Sequence, residues 1–361
     1  MRVKSLNIIN LRNISSAQID LDPCLNCFIG DNGAGKTSIL EALSVLSKGR
    51  SFRTGQISSL IGPVGGSFQI VSRIESRAGD FHQLGMERDE DHWSARHNGA
   101  DVTSLSELTE LLPHVVLEPN SHTLVSGPPE GRRRYLDWGA FHVEHNFLML
   151  WRRYNRVLKQ RNAALKQANR MIVQSLDAQF VQLGEKLHLA RQNHAERLDV
   201  ALQEQLFLFC ESLEGTSMSY KKGWSGDSLA EAIEVSDMRD LDRGATGPGP
   251  HKADLILAIN GVPARERLSR GEQKAMTAAL VMAQAKLISE SGEIPFLMLD
   301  DLSSELDENH FGKVLTAGLD LGAQIFLTGT GLAPAIRSCN SPYTLFHVKH
   351  GCVSMVAEQT A

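Results

Sequence analysis

Gly30-Asp31-Asn32-Gly33-Ala34-Gly35-Lys36-Thr37 fits the eight-position pattern G-x-x-x-x-G-K-[ST] without a gap. It follows the apolar step Leu25 to Ile29 and precedes Ile39, Leu40, Leu43 and Leu46 at helical spacing, with Gly49 as a stop. Strand, glycine-rich turn and helix in that register make a phosphate cradle. The glycines let backbone N–H groups turn inward, the helix N-terminus adds the positive end of its dipole, and Lys36 adds a point charge. Gly30 to Thr37, with Ser38, are the expected nucleotide-binding set, and the Thr37 hydroxyl is the expected Mg²⁺ ligand. Outward from this turn, Val3 to Leu11 and Ile14 to Asp22 read as strands, and residues 66–103 as short alternating segments with a hairpin turn at Asn98-Gly99. The N-terminal third is therefore mixed α/β.

A phosphate cradle of this kind needs an acid on a neighbouring strand to hold the metal through water. Phe296-Leu297-Met298-Leu299-Asp300-Asp301 supplies an apolar strand ending in two carboxylates. Asp300 is placed to hold the hydration shell of Mg²⁺. Asp301 is the catalytic candidate, placed to orient or deprotonate the attacking water.

The 361 residues carry 37 Lys and Arg against 42 Asp and Glu, a formal charge of −5, with 42% hydrophobic residues. This is ordinary globular composition and excludes disordered or fibrous builds. No run is apolar for long enough to make a membrane helix, and Met1 to Asn10 lacks the layout of a secretory signal, so a soluble cytoplasmic protein is expected. Cys24, Cys27, Cys210, Cys339 and Cys352 are expected to be free thiols. Cys24 and Cys27 form a CxxC with no second ligand pair nearby, which favours two strand residues over a metal site.

No proline lies between Pro129 and Pro248, and Gly184 is the only glycine between Gly139 and Gly215. The spacing predicts two helices of about 30 residues broken near Ser175 to Asp177, an arm about 45 Å long. Residues 131–170 hold ten Arg or Lys and two acids, a local charge of +8 in an acidic chain. Arg152, Arg156, Lys159 and Lys166 share one helical face, a stripe suited to tracking phosphates. With Arg132, Arg133 and Arg134 they are the DNA-binding candidates. The competing reading pairs that face with Asp177, Glu185 and Glu196 of the return helix. Few aromatics interleave, so salt-sensitive backbone contact with duplex is favoured over base stacking.

Leu268-Ser269-Arg270-Gly271-Glu272-Gln273 opens another helix, with Ser269 as a good N-cap. This stretch resembles the signature motif of ATP-binding-cassette ATPases and lies about thirty residues before the carboxylate strand, as in that superfamily. The resemblance implies that Ser269, Gly271 and Glu272 meet the γ-phosphate of ATP bound by a second copy, making an ATP-dependent homodimer. Ser304-Glu305-Leu306-Asp307 is similar to the D-loop of that interface, with Ser304 and Asp307 as its candidate residues. Where transporters carry a histidine, this chain has Ile325-Phe326-Leu327-Thr328-Gly329-Thr330, which points to the DNA-repair branch related to structural-maintenance-of-chromosomes heads.

Within that branch the chain resembles the RecF family from Val3 to about Val356. The stretches that carry the likeness include Leu11-Arg12-Asn13, Gly49-Arg50-Ser51-Phe52-Arg53, Gly127 to Asp137, Leu158 to Asn162 and Gly249-Pro250-His251-Lys252. The resemblance implies an α/β fold, an ATP-binding-cassette-type P-loop head with an inserted helical arm. Its expected parts are 1–127 and 246–361 as head, with 128–245 as the arm. It also implies ATP and Mg²⁺ as cofactors, binding to DNA at single-strand/double-strand junctions, and action with RecR and RecO in loading RecA. A small-molecule P-loop kinase is the competing class, but it has no use for Leu268 to Gln273. There are two departures: Pro119-Asn120 stands where the family often has Pro-Glu, and Asp301 stands where glutamate is common. The shorter Asp301 side chain predicts slow ATP turnover, because misplacement by about 1 Å can cost roughly a hundredfold in rate.

Overall fold

The computed structural model describes residues 1–209, 213–339 and 341–359; Cys210 lies outside them. Three strands, β1 (Arg2–Leu11), β2 (Ile14–Asp20) and β3 (Leu25–Ile29), lead into α1 (Lys36–Lys48). An antiparallel run follows: β4 (Phe68–Glu75), β5 (Phe81–Arg88), β6 (Trp93–His97) and β7 (Ala100–Asp101). Next come α2 (Leu105–Leu111), β8 (His114–Leu117) and the helices α3 (Thr123–Ser126), α4 (Pro129–Val143), α5 (Phe147–Lys166) and α6 (Arg170–Phe209). The chain continues through β9 (Thr216–Lys221), α7 (Leu229–Arg243), β10 (Asp254–Ile259), β11 (Val262–Pro263), α8 (Ala264–Arg267) and α9 (Arg270–Glu290). It ends with β12 (Phe296–Leu299), α10 (Leu302–Glu305), α11 (Glu308–Asp320), β13 (Ile325–Gly329), α12 (Pro334–Ser338), β14 (Tyr343–Lys349) and β15 (Cys352–Gln359).

Two compact units result. The first holds Met1–Ser121, the end of α6 from Leu208, and the chain from Ala278 onward; the second holds His122–Phe207 and the chain from Glu211 to Thr277. This division differs from the expected segments 1–127, 128–245 and 246–361: the first boundary falls after Ser121, the end of α6 from Leu208 packs with the first unit, and residues 246–277, which include the Leu268–Gln273 stretch, pack with the helical unit.

The first unit contains two six-stranded sheets. One is antiparallel, in the order β2-β1-β4-β5-β6-β7. The other runs β15-β14-β3-β13-β12-β8 and is parallel except for β15. The apolar runs Phe296–Leu299 and Leu25–Ile29 are buried on both faces, which is why they read as continuous hydrophobic segments. Between the sheets α1 buries Ile39, Leu40, Leu43 and Leu46, and Gly49 ends it in the left-handed conformation (φ 67°). Asn98 and Gly99 both have positive φ, as a two-residue hairpin turn demands. Cys27 is buried on β3, and burial pushes its thiol up to about 12, which suppresses the thiolate.

The second unit corrects the sequence reading of the arm. The helix break falls at residues 167–169, not at Ser175 to Asp177, and α6 runs unbroken for 40 residues, about 60 Å. Ser175 and Asp177 lie within α6. Asp177 has a distant partner: Arg161, fully buried on α5, bonds Asp177 (2.8 Å), Asp240 on α7 (3.1 Å) and the Thr246 hydroxyl (2.9 Å). Below this tie, Tyr154, Val157, Phe180, Leu183, Leu187 and Leu229 form the core of the unit. Tyr154 Oη donates to His251 Nδ1 (2.8 Å), and His251 Nε2 donates to the Thr246 carbonyl (3.0 Å). Burial drops the His251 pKa to about 4, which keeps the ring neutral and assigns its N–H to Nε2, facing the Thr246 carbonyl.

Candidate nucleotide site and basic face

The parallel strands β3, β13 and β12 end together, and the turns after them carry the polar residues. Such a carboxyl edge is where open α/β sheets bind ligands. After β3, Gly33 (φ 79°) and Gly35 (φ 111°) turn the backbone, and no side chain caps α1, whose first turn holds no acid. Its N–H groups are thus left for an anion. A side chain at Gly30 would run into the Val348 carbonyl oxygen, so only glycine fits between β3 and β14. Asn13 braces the turn from outside, donating to the Gly33 carbonyl (3.0 Å) and accepting from the Ser38 hydroxyl (3.3 Å).

Lys36 is buried, and its ammonium donates to the carbonyls of Gly30 (2.7 Å) and Asp31 (2.9 Å). Among the described residues no carboxylate pairs with it. A buried cation held only by carbonyl oxygens is poorly compensated and suited to an incoming anion.

The two acids lie after β12, with β13 intervening between β12 and β3, so the acidic strand is one place farther than an immediate neighbour. Thr37 Oγ1 nevertheless donates to Asp300 Oδ1 at 2.8 Å. Burial pushes the Asp300 carboxyl above its ordinary pKa, opposed by the Thr37 and Thr328 hydroxyls and the Arg53 guanidinium. Asp301 takes a left-handed conformation (φ 51°), a strained choice for a residue other than glycine, and its N–H donates to Thr328 Oγ1 (2.9 Å).

Two residues here escaped the sequence reading. Thr328, read only as the position without a histidine, sits on the intervening β13, 1% exposed, and its hydroxyl donates to Asp300 (2.8 Å) while accepting from Asp301. Thr328→Val keeps the shape but leaves the Asp301 N–H unsatisfied; it is expected to cost about 1–3 kcal/mol in thermal stability and to slow ATP hydrolysis, with Thr328→Ser restoring both. A valine variant as stable and active as the parent would remove Thr328 from the site. The second residue is Glu118, just after β8. The Leu117 carbonyl accepts from the Asp300 N–H (2.8 Å), so Glu118 flanks Asp300. Burial, then the Asp300 carboxylate, push the Glu118 carboxyl up to about 7, against the pull of Arg53.

Beside the cradle opens a cavity of about 690 Å³ lined by Arg12, Asn13, Gly33, Ser38, Arg53 and Thr54. Arg12 is locked by a two-point pair with Glu41 (2.7 and 3.1 Å) and a bond to the Ser59 carbonyl.

In the second unit, Leu268–Gln273 forms a capping box at the start of α9. The Glu272 N–H donates to Ser269 Oγ (3.3 Å), and the Glu272 carboxylate accepts from the Ser269 N–H (2.9 Å). Ser269 and Gly271 are exposed. Of the second motif, Asp307 caps α11 by accepting from the His310 N–H (2.9 Å), and Ser304 Oγ donates to the Asp301 carbonyl (2.8 Å).

The basic candidates separate. Arg152, Arg156, Lys159 and Lys166 are all exposed. The return-helix acids are engaged elsewhere: Asp177 by Arg161, Glu185 by the Leu229 N–H, and Glu196 by Gln192. Arg132 requires correction as a DNA candidate. It is buried in a two-point pair with Asp254 of β10 (2.8 and 3.0 Å) and also bonds the Gly127 carbonyl. Arg133 donates to the Ala253 carbonyl (2.8 Å), whereas Arg134 is exposed beside Glu130 (3.6 Å). The Gly127–Asp137 and Gly249–Lys252 stretches thus meet through the fold: the first anchors the strand that follows the second.

Parallel strands that bring a phosphate cradle and two carboxylates to one sheet end, in a chain that also carries a capped signature-type helix and a helical insertion, define an ATPase head of the ATP-binding-cassette type. The chain belongs to the RecF/RecN/SMC N terminal domain family, which matches residues 2–354. It is 40% identical to the DNA replication and repair protein RecF of Stenotrophomonas maltophilia, over 99% of this chain and 100% of that protein. It is 38% identical to the protein of the same name from Xanthomonas euvesicatoria pv. vesicatoria, over 99% of both chains. Among solved structures, that of the recombination mediator protein RecF-ATP in the RecFOR pathway covers 99% of this chain and 98% of its own, with TM-score 0.88 at 24% identity. An Smc head bound to the C-winged helix domain of ScpA covers 100% and 98%, with TM-score 0.60 at 14% identity. Among the described residues no helix is long and apolar enough to cross a membrane.

Proposed function

We propose that this chain is an ATP-gated, DNA-binding switch of recombinational gap repair. The observation that carries the nucleotide reading is the buried Lys36 ammonium, held by two carbonyls at the open N-terminus of α1. Lys36 and the N–H groups of Gly35 to Ser38 at the start of α1 bind and orient the triphosphate, and the cavity beside Gly33 and Ser38 has room for the nucleoside. The Thr37 hydroxyl and Asp300 carboxylate, 2.8 Å apart, are hard oxygen donors of the kind Mg²⁺ takes, so they would hold that ion, Asp300 through water. Mg²⁺ supplies neutralisation of charge on the phosphate oxygens. Asp301, held by Thr328, accepts the proton of the attacking water; its short side chain makes hydrolysis slow.

Ser269, Gly271 and Glu272 serve a second copy. The exposure of Ser269 and Gly271 at the N-terminus of α9, with Glu272 half-buried beside them, supports contact with the γ-phosphate in trans, with Ser304 and Asp307 lining the same interface. Arg152, Arg156 and Lys159 of α5, with the exposed Arg134 of α4, would meet duplex phosphates at single-strand/double-strand junctions. There the dimer would act with RecO and RecR to help load RecA, in the cytoplasm.

Light scattering with ATP, ADP and no nucleotide tests the central step. The parent is expected to double in mass only with ATP. Ser269→Arg is expected to stay monomeric while binding ATP unaltered, since Ser269 caps α9 and lies outside the Lys36 cradle. ATP hydrolysis by a strictly monomeric parent would overturn the proposal.

A further inference from the structure

The three-stranded sheet of the second unit, in the order β11-β10-β9, ends on β9 as an edge strand. The Asn260 N–H donates to the Gly215 carbonyl, and the register continues as Ala258↔Ser217, Ile256↔Ser219 and Asp254↔Lys221. In an antiparallel ladder these opposite pairs exchange hydrogen bonds, and the alternating residues face away. The backbone groups of Thr216, Met218 and Tyr220 therefore point to the open edge. The fold caps one of them: Gln203 of α6 donates to the Thr216 carbonyl (3.3 Å). Among the described residues, nothing bonds the outward N–H and C=O of Met218 and Tyr220.

That unpaired stretch is not open surface. It forms one wall of a cavity of about 410 Å³ whose other wall is α6, through His188, Gln192, Glu196 and Asp199. A strand laid against β9 sits about 4.8 Å from it and covers Met218 to Tyr220 with about three residues. Glu196 and Asp199 line the space; each accepts one neutral glutamine amide, from Gln192 (2.9 Å) and Gln203 (3.3 Å), and keeps its negative charge and its other oxygen. The one lysine lining it, Lys222, is turned onto the Gly226 and Asp227 carbonyls (2.6 and 3.3 Å) and over the Trp224 ring. His188 lies flat on Tyr220, with ring centroids 5.6 Å apart, giving an aromatic floor for aliphatic stems.

We propose that the groove between β9 and α6 docks an extended, lysine- or arginine-rich peptide segment of a partner protein as a fourth strand of the sheet. The backbone of Met218 and Tyr220 supplies the pairing, and Glu196 and Asp199 select for basic side chains on the incoming strand.

The test uses the full chain and a short end-capped peptide alternating lysine with valine, with a peptide alternating glutamate with valine as control. Amide exchange at Met218 and Tyr220 is expected to slow on addition of the basic peptide only. Glu196→Lys with Asp199→Lys, both on the surface of α6, is expected to weaken binding about tenfold or more without altering melting. Tyr220→Pro removes one outward N–H without touching the ladder to β10 and is expected to abolish protection at Met218. Tyr220→Ala keeps that N–H and is expected to retain the protection. Unchanged exchange at a saturating concentration of basic peptide would overturn the proposal. So would equal binding of the acidic peptide, or full competition by spermidine with Pro and Ala variants behaving alike, which would mark a small-cation pocket.

Discussion

Lys36→Ala is expected to weaken ATP binding about a hundredfold or more while leaving the nucleotide-free fold intact. The ammonium is buried, and among the described residues its hydrogen bonds go only to the Gly30 and Asp31 carbonyls. Against a triphosphate the same group makes charge-assisted bonds in a site shielded from water; losing them costs about 3 kcal/mol or more, two orders of magnitude in Kd. In the empty protein the balance differs, because removing the lysine frees two carbonyls but also removes a desolvated charge. The net change in unfolding free energy is expected to stay within about 1 kcal/mol. Calorimetric titration with ATP and thermal melting without it separate the two effects, and Lys36→Met checks that lost volume is not the cause. A variant that binds ATP like the parent would sink the phosphate reading. One that unfolds would make Lys36 a structural residue.

What could be read in the sequence was local. The turn at Gly30–Thr37, helix α1, its Gly49 stop, the Asn98-Gly99 hairpin and the Ser269 cap each depend on residues within a few positions of one another, where propensity and turn chemistry act. The Thr328 and Glu118 contributions depend on sheet order. Thr328 touches Asp300 because β13 is inserted between β3 and β12, and Glu118 reaches it because β8 pairs with β12; strand order leaves no mark in a single sequence. The arm shows the same boundary. Helical spacing placed Arg152, Arg156, Lys159 and Lys166 on one exposed face of α5, but the fates of Arg132 and Arg161 turn on acids 122 and 79 residues away. Arginine on the surface and arginine in a buried ion pair look alike in sequence, because the partner decides.

That ambiguity yields the sharpest contrast among the arginines. Arg132→Ala is expected to destabilise the protein by about 3–5 kcal/mol, because it strands Asp254 as a buried carboxylate whose charge, among the described residues, only the Leu255 N–H still meets, and frees the Gly127 carbonyl. Adding Asp254→Ala to Arg132→Ala is expected to recover part of the loss, since the stranded charge goes with it. The triple change Arg152→Ala, Arg156→Ala and Lys159→Ala is expected to do the opposite, leaving melting unchanged because all three side chains are exposed. Its effect should fall on DNA: the slope of log affinity against log salt flattens by about two to three units if each residue releases one counterion from duplex. Urea unfolding and a salt series of fluorescence anisotropy on gapped duplex measure the two quantities. If Arg132→Ala folds with parental stability yet flattens the salt slope, then Asp254 is not what holds this side chain, and the DNA surface extends onto α4. If instead the triple variant keeps the parental slope, the stripe on α5 is a solvated face and the phosphate contacts lie elsewhere on the molecule.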